Sequence, residues 1–136
     1  MTQPPADTVA LLEAIYAAFA RRDLATLTRL ADPEFELHAP TATMLRGGEP
    51  YRGHDGLRRY LADVERLWDR LELEVDELRV AADRRVVALG RLRVHGAGRM
   101  IDAPAAWVWR LRDGRALSAH VFETRRAALA AVGDPT

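Results

Sequence analysis

Residues Trp107–Glu123, WVWRLRDGRALSAHVFE, decide how the rest of the chain must be arranged. Asp113-Gly114 sits between two runs of period-2 apolar spacing, the pattern of a β-hairpin. A three-residue loop, Arg112-Asp113-Gly114 with Gly114 left-handed, sets Leu111 opposite Arg115, Trp109 opposite Leu117 and Trp107 opposite Ala119. One sheet face then carries Trp107, Trp109, Leu111, Leu117, Ala119 and Val121. The other carries Val108, Arg110, Arg112, Ser118, His120 and Phe122. A strict two-residue turn would shift the register by one and mix the two sets, and a buried face selects its register. Continuing the parity puts Glu123 at the end of the face that holds both tryptophans.

Working back from the hairpin, RMIDAPAAW leads into it, with Pro104 marking a bulge or an edge. VVALGRLRVH before it is a strand that turns at Gly96-Ala97-Gly98. LELEVDELRV alternates through Leu71, Leu73 and Val75, then slips phase to Leu78 and Val80, which places a β-bulge near Asp76-Glu77. The clearest helix precedes these strands. It aligns Leu57, Tyr60, Leu61, Val64, Leu67 and Trp68 in one stripe and leaves Arg58, Arg59, Asp63, Glu65 and Arg66 wet. Residues 40–53, PTATMLRGGEPYRG, lack a sustained period and read as a functional loop, such as a lid. EFELHAP is a short strand with Phe35 and Leu37 on one side, Glu36 and His38 on the other. Upstream, Leu24–Ala31 is a short helix capped by Asp23. Val9, Leu12, Tyr16 and Phe19 mark a longer one capped at Asp7 or Thr8. TRRAALAAVG is a terminal helix, with Gly133 as its C-cap. The order predicts an α+β fold: a curved antiparallel or mixed β-sheet wrapped around a long helix, forming a cone with an internal pocket.

At 136 residues the chain makes one domain, 1–136, able to bury a core of its own. Its formal net charge is zero, so no global field draws it to nucleic acid or an anionic membrane. All 20 basic residues are Arg, a bias that makes individual arginines weak evidence. Without cysteine there is no disulfide framework, thiol nucleophile or thiolate metal site. No leader pattern and no membrane-length apolar run is evident, so a cytoplasmic protein is expected.

The words DPEFELHAP, YRGHDGLRRYL, DRRVVALGRLRVHG, WRLRDGR and VFETRRAALAAVG, in this order, resemble the SnoaL-like branch of the nuclear-transport-factor-2-like superfamily. That superfamily includes ketosteroid isomerases, polyketide cyclases, a dehydratase and epoxide hydrolases, so the resemblance implies a fold and leaves the reaction open. It also implies a homodimer formed through the sheets. Ala39 stands at the position of the isomerases' general-base Asp, and Trp107 falls near their protonated Asp. Their helix-1 Tyr falls near Ile15, with Tyr16 one residue off that face. Steroid-type isomerisation is therefore not expected.

The candidate catalytic residues are Glu123, Arg91 and His38. Glu123, if desolvated in the pocket, is a general acid or base; alternatively it caps the last helix or pairs with Arg125 or Arg126. Arg91, Arg93 and His95 share one side of their strand. Either they line the pocket and bind an oxyanion, or they face outward. The pocket lining is expected from Tyr16, Phe19, Phe35, Leu37, Tyr60, Leu61, Trp68, Trp107, Trp109 and Val121. His38, His54, His95 and His120 lack metal-ligand spacing, so no metal is expected, and no cofactor motif is present. His54 is read as ordering the turn before the long helix. The function expected is cofactor-free acid/base chemistry on a hydrophobic small molecule, of isomerase, cyclase, dehydratase or epoxide-hydrolase type. The alternative is a ligand-binding or dimerisation module that has lost the acid/base set.

Overall fold

The strands of the computed structural model are β1 (Ala31–His38), β2 (Tyr51–Arg52), β3 (Arg70–Val80), β4 (Val86–Gly96), β5 (Arg99–Arg112) and β6 (Arg115–Phe122). The structure describes residues 1–133, so the last residues of the expected 1–136 domain lie outside it. The strands form one curved, unclosed sheet in the order β2-β1-β6-β5-β4-β3. β1 runs parallel to β6 and every other pair is antiparallel. Five helices join them: α1 (Ala6–Arg21), α2 (Leu24–Leu30), α3 (Pro40–Leu45), α4 (Gly53–Leu67) and α5 (Arg125–Ala131). The α+β cone expected from the strand order is the fold found.

The hairpin register differs from expectation. Asp113 and Gly114 both have positive φ, 52° and 74°, and close a two-residue turn with Arg112 opposite Arg115. Such a turn matches strand twist. The register then shifts between Arg110 and Leu111: Leu111 opposes Ala116 while Arg110 opposes Ser118, leaving Leu117 as the bulged residue. Trp109 therefore faces Ala119 and Trp107 faces Val121. The bulge restores the apolar parity that the short turn would have broken. Its cost falls on Leu117, which turns to the outer face, and Ala116 takes its place in the core.

The concave face carries the main core, including Phe35, Leu37, Val86, Ala88, Trp107, Trp109 and Ala119. The convex face has a smaller core, where Ala128 and Leu129 of α5 cover Val87, Leu89, Ala106 and Val108. Thr124 starts α5 by accepting a hydrogen bond from the Ala127 amide at 3.0 Å. α4 follows β2 directly, so it packs along β1 and β2, and α1 reaches across to β3. The tryptophan face is consequently covered by α1. Tyr16 meets Trp107 and Trp109 edge-on, with ring centroids 5.3 and 5.7 Å apart.

Residues 40–53 are not an extended loop: Pro40 opens α3 at its first turn, and β2 follows. A helix this short shows no period in sequence. α1 starts one residue after Pro5, with no side-chain cap from Asp7 or Thr8. His54 does secure the entry to α4, its Nε2 lying 3.0 Å from the Ala31 carbonyl. Pro104 lies where β5 has outrun β6, whose last partner is Ala106, so its missing N–H leaves no ladder bond unmade on that side.

The expected bulge in β3 is present between Val75 and Glu77, opposite Gly90 and Leu89. It forces the β3 backbone over Gly90, where a Cβ would lie 1.8 Å from the Glu74 carbonyl oxygen. Gly90→Ala is expected to lower stability by about 3 kcal/mol, at the upper end of overpacking effects. Gly98→Ala, with open space around it but φ of 74°, should cost about 1 kcal/mol. Urea unfolding of the two variants compares them, and equal losses would refute this account of the bulge.

Candidate functional site

Beneath the tryptophans the interior is filled. The void lined by Phe19, Phe35 and Trp109, among others, is about 10 Å³, no more than a single water needs. Space opens instead between α1 and β3, in a cleft of about 510 Å³. Val9, Leu12 and Tyr16 form its α1 wall, and Leu73, Val75 and Leu78 its β3 wall. Gln3 and Pro4 close one end, held there by Thr2, which exchanges backbone hydrogen bonds with Val80 at 3.1 and 2.7 Å. Glu13, Asp76 and Glu77 stand along it.

Tyr16 is the polar group with defined chemistry in this cleft. Trp109 Nε1–H donates to its hydroxyl oxygen at 3.0 Å. A buried indole N–H needs an acceptor, and this contact supplies it. The phenol proton is left to point elsewhere. Burial pushes the Tyr16 hydroxyl well above the usual phenol range, outweighing the Trp109 bond, which lowers it; nearby Tyr60 adds to the rise. Tyr16 is therefore a neutral hydrogen-bond donor throughout the physiological range. Tyr60 is also raised by burial and packs edge-on against Phe19 and Tyr51, at 5.6 and 5.4 Å.

The three nominated catalytic residues do not meet inside the cone. Arg91 lies on the convex face, where its Nε donates to Asp102 at 2.9 Å. Arg93 bridges the same Asp102 and Glu72. Strand alternation explains this: Val86, Ala88 and Leu92 take the concave side, so the odd-numbered residues of β4 must point away. His38 is on the convex face too, its Nε2–H directed to Glu36 at 3.1 Å and its ring stacked on His120 at 5.1 Å. His120 stacks in turn on Phe122, and burial, then His38, lowers its pKa. Glu123 is exposed just past the end of β6. It does share a hollow of about 480 Å³ with His38, Ala39, His120 and Val121 at the ends of β1 and β6.

Of the expected pocket lining, Tyr16 lines the cleft. Phe19, Phe35, Leu37, Leu61, Trp107 and Trp109 are core side chains. Trp68 sits at the far end of β4, where Gly96 makes room for its ring. Among the described residues, no group of three or more His, Asp or Glu side chains could hold a metal ion.

With this geometry, the sequence matches the SnoaL-like domain over residues 12–119. The chain belongs to the SnoaL-like family. An uncharacterised protein of Mycobacterium tuberculosis is 32% identical over 106 residues, covering 77% of this chain and 79% of that one. The fold is shared with an NTF2-like protein of unknown function from Burkholderia pseudomallei. That structure is 24% identical with a TM-score of 0.77, covering 94% of this SnoaL-like chain and 98% of the other. It is shared also with a protein of ketosteroid isomerase-like fold from Catenulispora acidiphila, solved with trimethylamine. Its identity is 18% and TM-score 0.71, with coverage of 98% and 96%.

One buried polar cluster escaped the sequence reading. Asp63, expected on the wet face of α4, is 1% exposed. Arg46 Nε and Nη2 both donate to it at 2.9 Å, and the Tyr51 hydroxyl donates at 2.6 Å. Tyr51 has one proton, so Thr41, 3.0 Å away, donates to Tyr51. The cluster ties α3, β2 and the segment between them to α4. Its only sequence trace is an acid beside the apolar stripe, followed at the next position by Val64.

The Arg46 guanidinium, more than the Tyr51 hydroxyl, holds the Asp63 carboxyl below the usual carboxylate range against the opposing effect of burial. A carboxylate with a lowered folded-state pKa stabilises above its unfolded pKa, and that contribution disappears as pH falls through the folded value. Asp63→Ala, which strands Tyr51, is expected to cost about 3 kcal/mol at neutral pH. Stability measured from pH 7 down to pH 2 should fall more gently in Asp63→Asn than in the wild type. Parallel acid limbs would show that the cluster is not formed.

Proposed function

We propose that this SnoaL-like protein binds an apolar small molecule in the α1–β3 cleft and polarises an oxygen of that molecule with the Tyr16 hydroxyl. One observation carries the reading. Trp109 occupies an acceptor site of the phenol oxygen from behind, so the phenol can serve a ligand by donating. The cleft volume and largely aliphatic walls suit a ligand of modest size. A neutral donor in an apolar setting stabilises carbonyl or enol oxygen, the electrophilic half of cyclase- and isomerase-type chemistry. The trimethylamine complex of the Catenulispora protein supports small-molecule binding by the fold. The reading includes a cofactor-free, cytoplasmic protein. No described helix is long and apolar enough to cross a membrane.

Calorimetric titration with 1-tetralone, a compact apolar ketone, tests it. Tyr16→Phe is expected to weaken binding about fivefold, the worth of one hydrogen bond. Wild-type affinity should stay flat from pH 6 to 9, because the phenol does not ionise there. Unchanged affinity in Tyr16→Phe would reject the assignment.

A second reading places acid/base catalysis in the hollow that gathers Glu123, His38 and His120. With an identified substrate, Glu123→Gln should then reduce turnover by roughly 100-fold. The homodimer implied by the family resemblance uses the convex face. Exposed Met100, 61% accessible, and the Glu72–Arg93–Asp102–Arg91 charge row support that placement. Sedimentation equilibrium should show a dimer that Met100→Asp weakens; a monomeric wild type would remove it.

A further inference from the structure

Resting on the cleft reading above, we infer that the ligand class of the α1–β3 cleft is a hydrophobic amine that also carries the oxygen Tyr16 engages, bound as its ammonium cation. The charges on the cleft are all of one sign. Glu13 contributes a carboxylate from the α1 side, and Asp76 and Glu77 contribute two from β3. No arginine lines it, although the chain has 20.

Glu77 is neutralised by Arg79 and Arg125. Glu13 and Asp76 make no ion pair or side-chain hydrogen bond among the described residues, unlike Asp32, Asp63, Asp83 and Asp102, each held by an arginine. Both are exposed, and no cation among the described residues is paired with them.

Asp76 reaches the cleft through a specific backbone device. Along β3, Leu71, Leu73 and Val75 alternate with Glu72 and Glu74, so a regular strand would send residue 76 to the convex, polar side. The bulge between Val75 and Glu77 inserts Asp76 as the unpaired residue, and it lines the cleft between Val75 and Leu78. The opposing Gly90 is the residue that tolerates this displacement. Tyr16, on the α1 wall of the cleft, adds an aromatic ring, and aromatic rings attract cations. Largely aliphatic walls, the Tyr16 ring and two unpaired carboxylates together suit an alkyl- or arylammonium, and repel an anion of the same shape.

Three probes of matched size separate the charge inference from the cleft reading: 1-naphthylmethylamine, 1-naphthalenemethanol and 1-naphthoate, titrated calorimetrically at pH 7. The ammonium is expected to bind at least about tenfold tighter than the carboxylate, with the alcohol between them. The preference should shrink in high salt, as screening requires. Glu13→Gln/Asp76→Asn should bring the ammonium down to the alcohol's affinity and leave the alcohol unchanged. If the alcohol binds and the ammonium gains nothing over it, the amine inference is overturned while the cleft stands. If none of the three binds, both fall. A double variant that weakens all three equally would also overturn the inference, because its effect would then be structural.

Discussion

The Trp109 Nε1–H must find an acceptor inside an apolar core, and the Tyr16 hydroxyl is where it finds one. That requirement fixes more than one hydrogen bond. It sets α1 across β5, at a rotation that also brings Tyr16 edge-on to Trp107. With α1 so placed, Leu12 and Ile15 seal the concave core, and the adjoining face of the same helix stands away from β3 and leaves the cleft. The phenol oxygen thereby accepts from Trp109, and its own proton is not used by that bond. On the proposed reading core packing and ligand recognition share Tyr16, so its substitution acts on both.

Much of this fold was legible because period-2 and period-3.6 patterns are strong where one face is buried. The strands from Leu71 to Val121, the bulge at Asp76 and the long helix follow from such patterns, whereas the C-cap of the last helix is Val132, one residue before the expected Gly133. The hairpin register was not legible. A three-residue loop and a two-residue turn with a bulge at Leu117 give the same sorting of Trp107, Trp109, Ala119 and Val121. They differ in the tryptophans' cross-strand partners and in the sides taken by Arg115, Ala116 and Leu117, and Ala116 and Leu117 are compatible with either face. α3 and β2 were missed because six and two residues cannot display a period.

The site was less legible than the fold. Parity extended the tryptophan face to Glu123, but β6 ends one residue earlier, and Glu123 is exposed in the hollow it shares with His38 and His120. For Arg91 two orientations satisfied the pattern, and the helices chose the apolar one. Tyr16 carried its signal in plain sight, in the same stripe as Leu12 and Phe19. Its hydroxyl partner is 93 positions away, which local spacing cannot reveal. Asp63 shows the same limitation from the polar side: its burial depends on Arg46, folded over it from a segment with no periodicity.

The central claim is that ligand reaches the Tyr16–Trp109 pair from the α1–β3 cleft. The chain has three tryptophans, and the Trp68 indole lies at the far end of β4. Titration of ¹⁵N-labelled protein with 1-tetralone, followed through the indole N–H resonances, therefore reports the site directly. The account requires the Trp109 resonance to move as the phenol engages the ketone, with Trp68 unmoved. Saturable binding that shifts Trp68 and leaves Trp109 in place would contradict it.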